Sequence, residues 1–226
     1  MAGASGAVCT LFTSCTIDVN DVNTCAMMRT MTARPYHHGD LREALLAAGY
    51  ETARARGPQA LGVRELAKTV GVSPAAAYRH FADLDHLVAA VSQRAREQLA
   101  TTMLDALAPL PAGDNPEAAW ARLQAIGRAY VAFGAAEPQL FETAFTPCAP
   151  TERPDDPAAW DVLVGALEDL AQLGETDGGR RLADALVAWS SVHGLGTLLS
   201  RGLVPADASG AATTAVLDGV RAALRA

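Results

Sequence analysis

The 226-residue sequence has no CxxC pair, no glycine-rich phosphate loop and no GxSxG elbow. Its four cysteines, Cys9, Cys15, Cys25 and Cys148, are spaced for neither a zinc site nor a disulfide framework. A reducing, cytoplasmic setting is therefore expected, with no metal and no cofactor. Segments that alternate apolar and polar residues are missing and β-branched residues are sparse, which argues against a sheet protein and leaves helices. Residues 1–30 lack a basic start followed by an apolar run, so no secretory leader is expected. The longest apolar stretch, "LADALVAWSSVHGLGTLL" at 182–199, includes Asp184, His193 and two serines. A membrane span needs about 20 predominantly apolar residues. The stretch reads as a buried helix, and no membrane is expected as a partner.

What is present points to an all-α protein. Half of the residues are hydrophobic, with alanine and leucine dominant, so the chain can bury a substantial core. The net charge of −7 is unevenly spread: residues 1–30 carry −1, residues 31–82 carry +3, and residues 83–226 carry −9. The basic stretch also contains three of the five histidines. Residues 1–30 read as a disordered extension, and Met27, Met28 and Met31 are candidate translation starts.

From Gly39, Leu41, Ala44, Leu45, Ala48, Thr52 and Ala55 share a helical face, closed by Gly57-Pro58. "VRELAKTVG" gives a second helix of about two turns, and Gly71 supplies a tight turn. Ser73 then reads as an N-cap with Pro74 at the first helical position of a third helix, ending near Phe81. Asp83 caps a fourth helix that reaches about Leu107. Further helices are expected over Trp120–Ala135, 158–173, 178–200 and 208–225, with a short piece from Pro138 and a proline-rich loop at 146–157.

A supporting helix followed by helix, three-residue turn and helix is the arrangement of a DNA-reading helix-turn-helix. Small residues on the third helix let its backbone approach the major-groove floor. Ala75, Ala76 and Arg79 share its outer face. Alanine methyls can meet thymine methyls, and arginine can bridge guanine or grip a phosphate. Tyr78 and His80 offer polar tips for phosphates. An alanine-rich packing helix with solvated polar residues is the alternative that periodicity leaves open.

"YHHGDLREALLAAG" and "LGVRELAKTVGVSPAAAYRHFADLDHL" resemble the DNA-binding region of the tetracycline-repressor (TetR) family. The matching signature is Gly71-Val72-Ser73, Tyr78-Arg79-His80-Phe81 and Leu87, within about residues 34–90. "AWSSVHGLGTLL" is similar to the motif of the WHG-type C-terminal domain, through Trp189, His193 and Gly194. The resemblance implies a helix-turn-helix DNA-binding domain over 31–82 and a helical regulatory and dimerisation domain over 83–226. It implies a homodimer on a palindromic double-stranded operator, most often a repressor released by a small effector. The DNA contacts it implies are Arg64, Ala75, Ala76, Tyr78, Arg79 and His80; Ser73 and the arm residues Arg34, His37 and His38 are further expected DNA contacts. Asp85 departs from the family, where a lysine often grips a phosphate; the arm with Arg34, His37 and His38 is expected to compensate in part.

The candidate effector pocket is lined by Met103, Leu107, Trp120, Ile126, Tyr130, Phe133, Phe141 and Trp189, which favours an apolar or aromatic molecule. For the dimer interface, the helices over 158–173 and 178–200 are expected to contribute Gly194, Gly196, Leu195, Leu198 and Leu199. Adjacent histidines diverge on a regular backbone, so His37, His38 and Asp40 read as an arm near phosphates rather than a metal site. Ser190, Ser191 and His193 lack the surroundings of a hydrolase, so no enzyme is expected. The competing function class is a helical small-molecule-binding or enzymatic protein that only looks like a regulator. A ligand-independent regulator is a variant of the first.

Overall fold

The computed structural model describes residues 38–110, 115–147 and 158–226, with side chains from Leu41 onward. Among these residues every regular element is helical. They are α1 (His38–Arg56), α2 (Val63–Val70), α3 (Pro74–Tyr78), α4 (Leu84–Asp105), α5 (Pro116–Ala136), α6 (Pro138–Ala144), α7 (Ala159–Gln172), α8 (Arg181–Ser200) and α9 (Ser209–Leu224). Single 3-10 turns stand at Pro58–Ala60, Gly178–Arg180 and Ala206–Ala208.

Local chemistry sets the early boundaries. Gly71 follows α2 at φ 80°, ψ 30°, a left-handed conformation that a Cβ would strain. The Gly71 amide donates to Lys68 at 3.2 Å and the Val72 amide to Ala67 at 2.9 Å, the paired bonds of a Schellman stop. Ser73 Oγ accepts from the Ala76 amide at 3.2 Å, and Pro74 starts α3. The helix ends at Tyr78, three residues before the expected Phe81. The chain there turns so that Phe81 plugs the core beneath, only 3% exposed. Asp83 caps α4 by accepting from the His86 amide at 2.9 Å. Downstream, α5 begins at Pro116 rather than near Trp120, because Asn115 Oδ1 accepts from the Ala118 amide at 3.0 Å.

Two buried clusters organise the described residues. The first joins Leu41, Leu45 and Ala53 of α1 to Leu66, Ala67, Ala77 and Phe81, and it extends to Leu87 and Val91 of α4. The second gathers Ala95, Leu99 and Met103 of α4 with α5 to α9. One helix thus serves both: the first half of α4 completes the head, and its second half enters the body. Within the body, α5 packs on α4, α7, α8 and α9. Its contact with α8 is close, since a Cβ on Gly134 would stand 3.2 Å from the Gly196 Cα. Gly196 is therefore spent inside the protomer, and Leu195 is likewise buried, which corrects their expected place at a dimer surface.

Candidate nucleic-acid interface and effector cavity

The head presents α3 outward. Ala77 is fully buried and anchors the helix on α1 and α2, which turns Ala75, Tyr78 and Arg79 toward solvent. Ala76 and His80 are half-buried, so the outer face is narrower than the three-residue set expected from spacing. Arg79 follows the last turn of α3 with right-handed helical backbone angles, which keeps it one turn from Ala75. Ser73 is engaged as the α3 cap. Arg64 is exposed in the first turn of α2, and Lys68 is exposed one turn later on the same side. Lys68 escaped the sequence reading because a lone lysine on a short helix carries no pattern. Beneath this surface, the Arg42 guanidinium lies 5.4 Å from the Phe81 ring centre and covers the head's core. Asp85 is exposed in the first turn of α4. Arg34, His37 and the side chain of His38 lie outside the described residues.

In the body, one cavity of about 30 Å³ is lined almost wholly by carbon. Met103 of α4, Ile126 and Tyr130 of α5, and Trp189 of α8, four of the eight residues named for a candidate effector pocket, line it. Leu163, Val192 and Leu217 close it from α7, α8 and α9. These three carry no signal in a single sequence, because any buried helix shows leucines and valines at this spacing. The other expected pocket residues lie elsewhere. Trp120 is buried, but its indole donates to Glu175 at 2.7 Å, and Arg221 and Arg225 lie over its ring. Phe133 and Phe141 line separate surface clefts, and Leu107 packs at the edge of the core.

The cavity's one polar wall is Tyr130. Its hydroxyl lies 2.8 Å from Nδ1 of His193, inside a cluster of Phe141, Phe145 and Trp189 rings. Burial pushes the Tyr130 phenol well above its ordinary range, so it stays protonated. Burial also lowers the His193 pKa, which favours the neutral ring. The neighbouring serines do not join this pair: Ser190 donates to the Leu186 carbonyl at 2.6 Å and Ser191 to Val187 at 2.7 Å.

Side chains also tie the head to the body. Arg54 at the end of α1 grips Glu137 with two bonds, at 2.6 and 3.0 Å. Gln59 donates to Glu142 of α6 at 2.8 Å; within the body, Arg96 of α4 donates to the Ala144 carbonyl at 2.9 Å.

Comparison with known proteins agrees with this division. Residues 45–91 match the model of bacterial regulatory proteins of the tetR family. Residues 123–222 match the tetracyclin repressor-like C-terminal domain. No curated protein matches the sequence. Among solved structures, a protein of unknown function from Rhodococcus sp. RHA1 is 28% identical, with TM-score 0.68, over 86% of this chain and 100% of that one. A tetR-family bacterial regulatory protein from Rhodococcus RHA1 is 22% identical, with TM-score 0.52, over 81% and 95% of the two chains. A TetR family protein from Vibrio parahaemolyticus is 19% identical, with TM-score 0.52, over 79% and 97%. The last two are likenesses of fold. The head and body matches together span well over half of the chain, on the surfaces just described, and the protein belongs to the tetR family of DNA-binding transcriptional regulators.

Proposed function

We propose that the protein is a ligand-responsive repressor that binds a palindromic operator as a homodimer and releases it when a small apolar or aromatic molecule enters the body. The observation that carries this is the double role of α4. Leu87 and Val91 belong to the head's core, whereas Met103, on the same helix, lines the carbon-walled cavity. A molecule that enlarges the cavity pushes on Met103, and a rigid helix passes that push to the head. Residues 31–82 are read as the DNA-binding domain and 83–226 as the regulatory and dimerisation domain. The DNA contacts proposed are those expected from the sequence, with Lys68 added.

For the dimer, α8 offers exposed apolar surface. Leu182, Leu186, Val187 and Leu198 are 67, 53, 40 and 43% exposed, and Gly194 has open space beside it. So much apolar surface on one helix marks an interaction site. By length and composition Gly178–Ser200 is apolar enough to cross a membrane. We read it instead as a core and dimer helix, because α5, α7 and α9 pack on it and Asp184 is buried within it beside Arg180. The reading includes a cytoplasmic setting and no catalytic activity.

The test is selection of bound duplexes from a random pool, with sedimentation of the free protein. The expected outcome is a dimer that selects a palindrome with half-sites about 34–36 Å apart, or a related spacing. Affinity should fall steeply with salt, as phosphate contacts require. A strict monomer at micromolar concentration, or equal affinity for selected and random duplexes, overturns the reading.

A further inference from the structure

Behind the Tyr130–His193 pair lies a second pocket, of about 270 Å³, between α6 and α8. His193, Thr197 and Arg201 form its α8 wall, at i, i+4 and i+8. Gln139, Phe141 and Phe145 face them. The carbon-walled cavity uses Ala188, Trp189 and Val192 of the same helix, so the two spaces adjoin along α8. Tyr130 and Trp189 line the first, Phe145 and His193 line the second, and these rings pack on one another.

On its α8 wall the outer pocket offers the His193 ring and the Arg201 guanidinium, while the opposite wall carries the Gln139 amide and the Glu142 carboxylate. The buried Tyr130 hydroxyl has one partner among the described residues, His193 Nδ1, and so donates its proton there. That leaves the neutral histidine with its N–H on Nε2, for which no protein acceptor stands among the described residues. Arg201, exposed at the end of α8, makes no ion pair among them. One carboxylate oxygen of Glu142, on the opposite wall, accepts from Gln59. A hydrogen-bond acceptor carrying negative charge suits the α8 side, because the His193 N–H and the Arg201 guanidinium both line that wall without an acceptor among the described residues. The inner cavity holds little more than one water, too small for an effector on its own. An effector that enters it must enlarge it, and parting the ring cluster would join it to the outer pocket.

Resting on the ligand-responsive reading above, we propose that the effector is an amphipathic carboxylate. Its apolar body enters the inner cavity past Trp189, and its carboxylate is held by His193 Nε2–H and Arg201. Trp189 and Thr197 lie eight residues apart, roughly 12 Å along α8, a distance comparable to an extended ten-carbon chain.

The test uses three probes of equal chain length, decanoate, 1-decanol and decylamine, below their micellar concentrations. Each is titrated calorimetrically into the full-length protein and its Arg201→Gln variant. Arg201 is exposed, so the variant keeps the fold. Decanoate should bind at least tenfold more tightly than either other probe to the wild-type protein. Arg201→Gln should erase that preference and leave decanol binding unchanged. Decanol binding as well as decanoate, or a preference that survives Arg201→Gln, overturns the carboxylate assignment while leaving an apolar effector site in place. Binding of none of the three overturns this inference alone. The ligand-responsive reading is then decided separately, by whether any screened molecule weakens operator binding.

Discussion

The head and the body are both all-helical and both closed by leucine-rich cores, yet they are specified differently. In the head, each turn is set by residues within five positions of one another: Gly71 with Ala67 and Lys68, Ser73 with Ala76, Asp83 with His86. The surface offered to DNA follows from those local stops. In the body, the carbon-walled cavity exists only where five helices meet, and Ile126 and Leu217 share it across most of the C-terminal half. Locally fixed surfaces can be read from a sequence and stay rigid. Spaces defined by distant side chains can be neither read that way nor held fixed when an occupant arrives.

Core truncation gives the largest effect that can break this contrast. Leu66 of the head and Leu167 of the body are both 2% exposed. Leu66→Ala and Leu167→Ala should each cost about 2–5 kcal/mol of stability, measured by denaturant unfolding. Amide chemical-shift changes should stay within 38–91 for the first and within the body for the second. Changes from Leu66→Ala that reach Leu163 and Leu217 would show one core where two are described.

Next in size is the DNA surface. Arg79→Ala should weaken operator binding by about 1–3 kcal/mol if the side chain reads a base. If it grips a phosphate, the salt slope should instead drop by roughly 0.9. A folded variant with unchanged affinity and slope removes Arg79 from the interface and leaves Arg64 and Lys68 to carry it.

The smallest effect sharpens the contrast through pH. Burial holds His193 of the body below its ordinary 6.5. As pH falls through that value, the unfolded chain takes up a proton that the folded protein resists, so stability declines until the folded pKa is reached. In the head, the His86 amide, and then its ring, hold Asp83 below its ordinary 3.8. Its contribution is present above that value and is lost only as pH falls through the lowered one. Between pH 7 and 5.5, melting temperature should fall more steeply for the wild-type protein than for His193→Gln. Parallel slopes would mean that His193 is not shielded.

Legibility followed the same division. The caps, the turn glycine and the helix order could be read because Gly71, Ser73, Pro74 and Asp83 act within their own turns. Asn115-Pro116 carried the same kind of signal but lay inside a stretch read as loop, so the start of α5 came out late. The carbon-walled cavity, the candidate effector site, was legible only in part. Met103, Ile126, Tyr130 and Trp189 stand out by size and spacing, but nothing local tells Trp120, committed to Glu175, from Trp189, beside the cavity. The exposed apolar face of α8 shows the same gap: Leu195 and Leu198 look alike in sequence, and only packing within the body decides which of them faces in.

The central claim is that α4 couples the cavity to the DNA-reading head. A screened effector, titrated calorimetrically with and without saturating operator, tests it most directly. A hundredfold loss of DNA affinity corresponds to about 2.7 kcal/mol of coupling, and linkage requires operator to weaken effector binding by the same factor. Effector affinity about a hundredfold weaker on the operator complex is the expected result. Equal affinities in the two titrations would contradict the coupling.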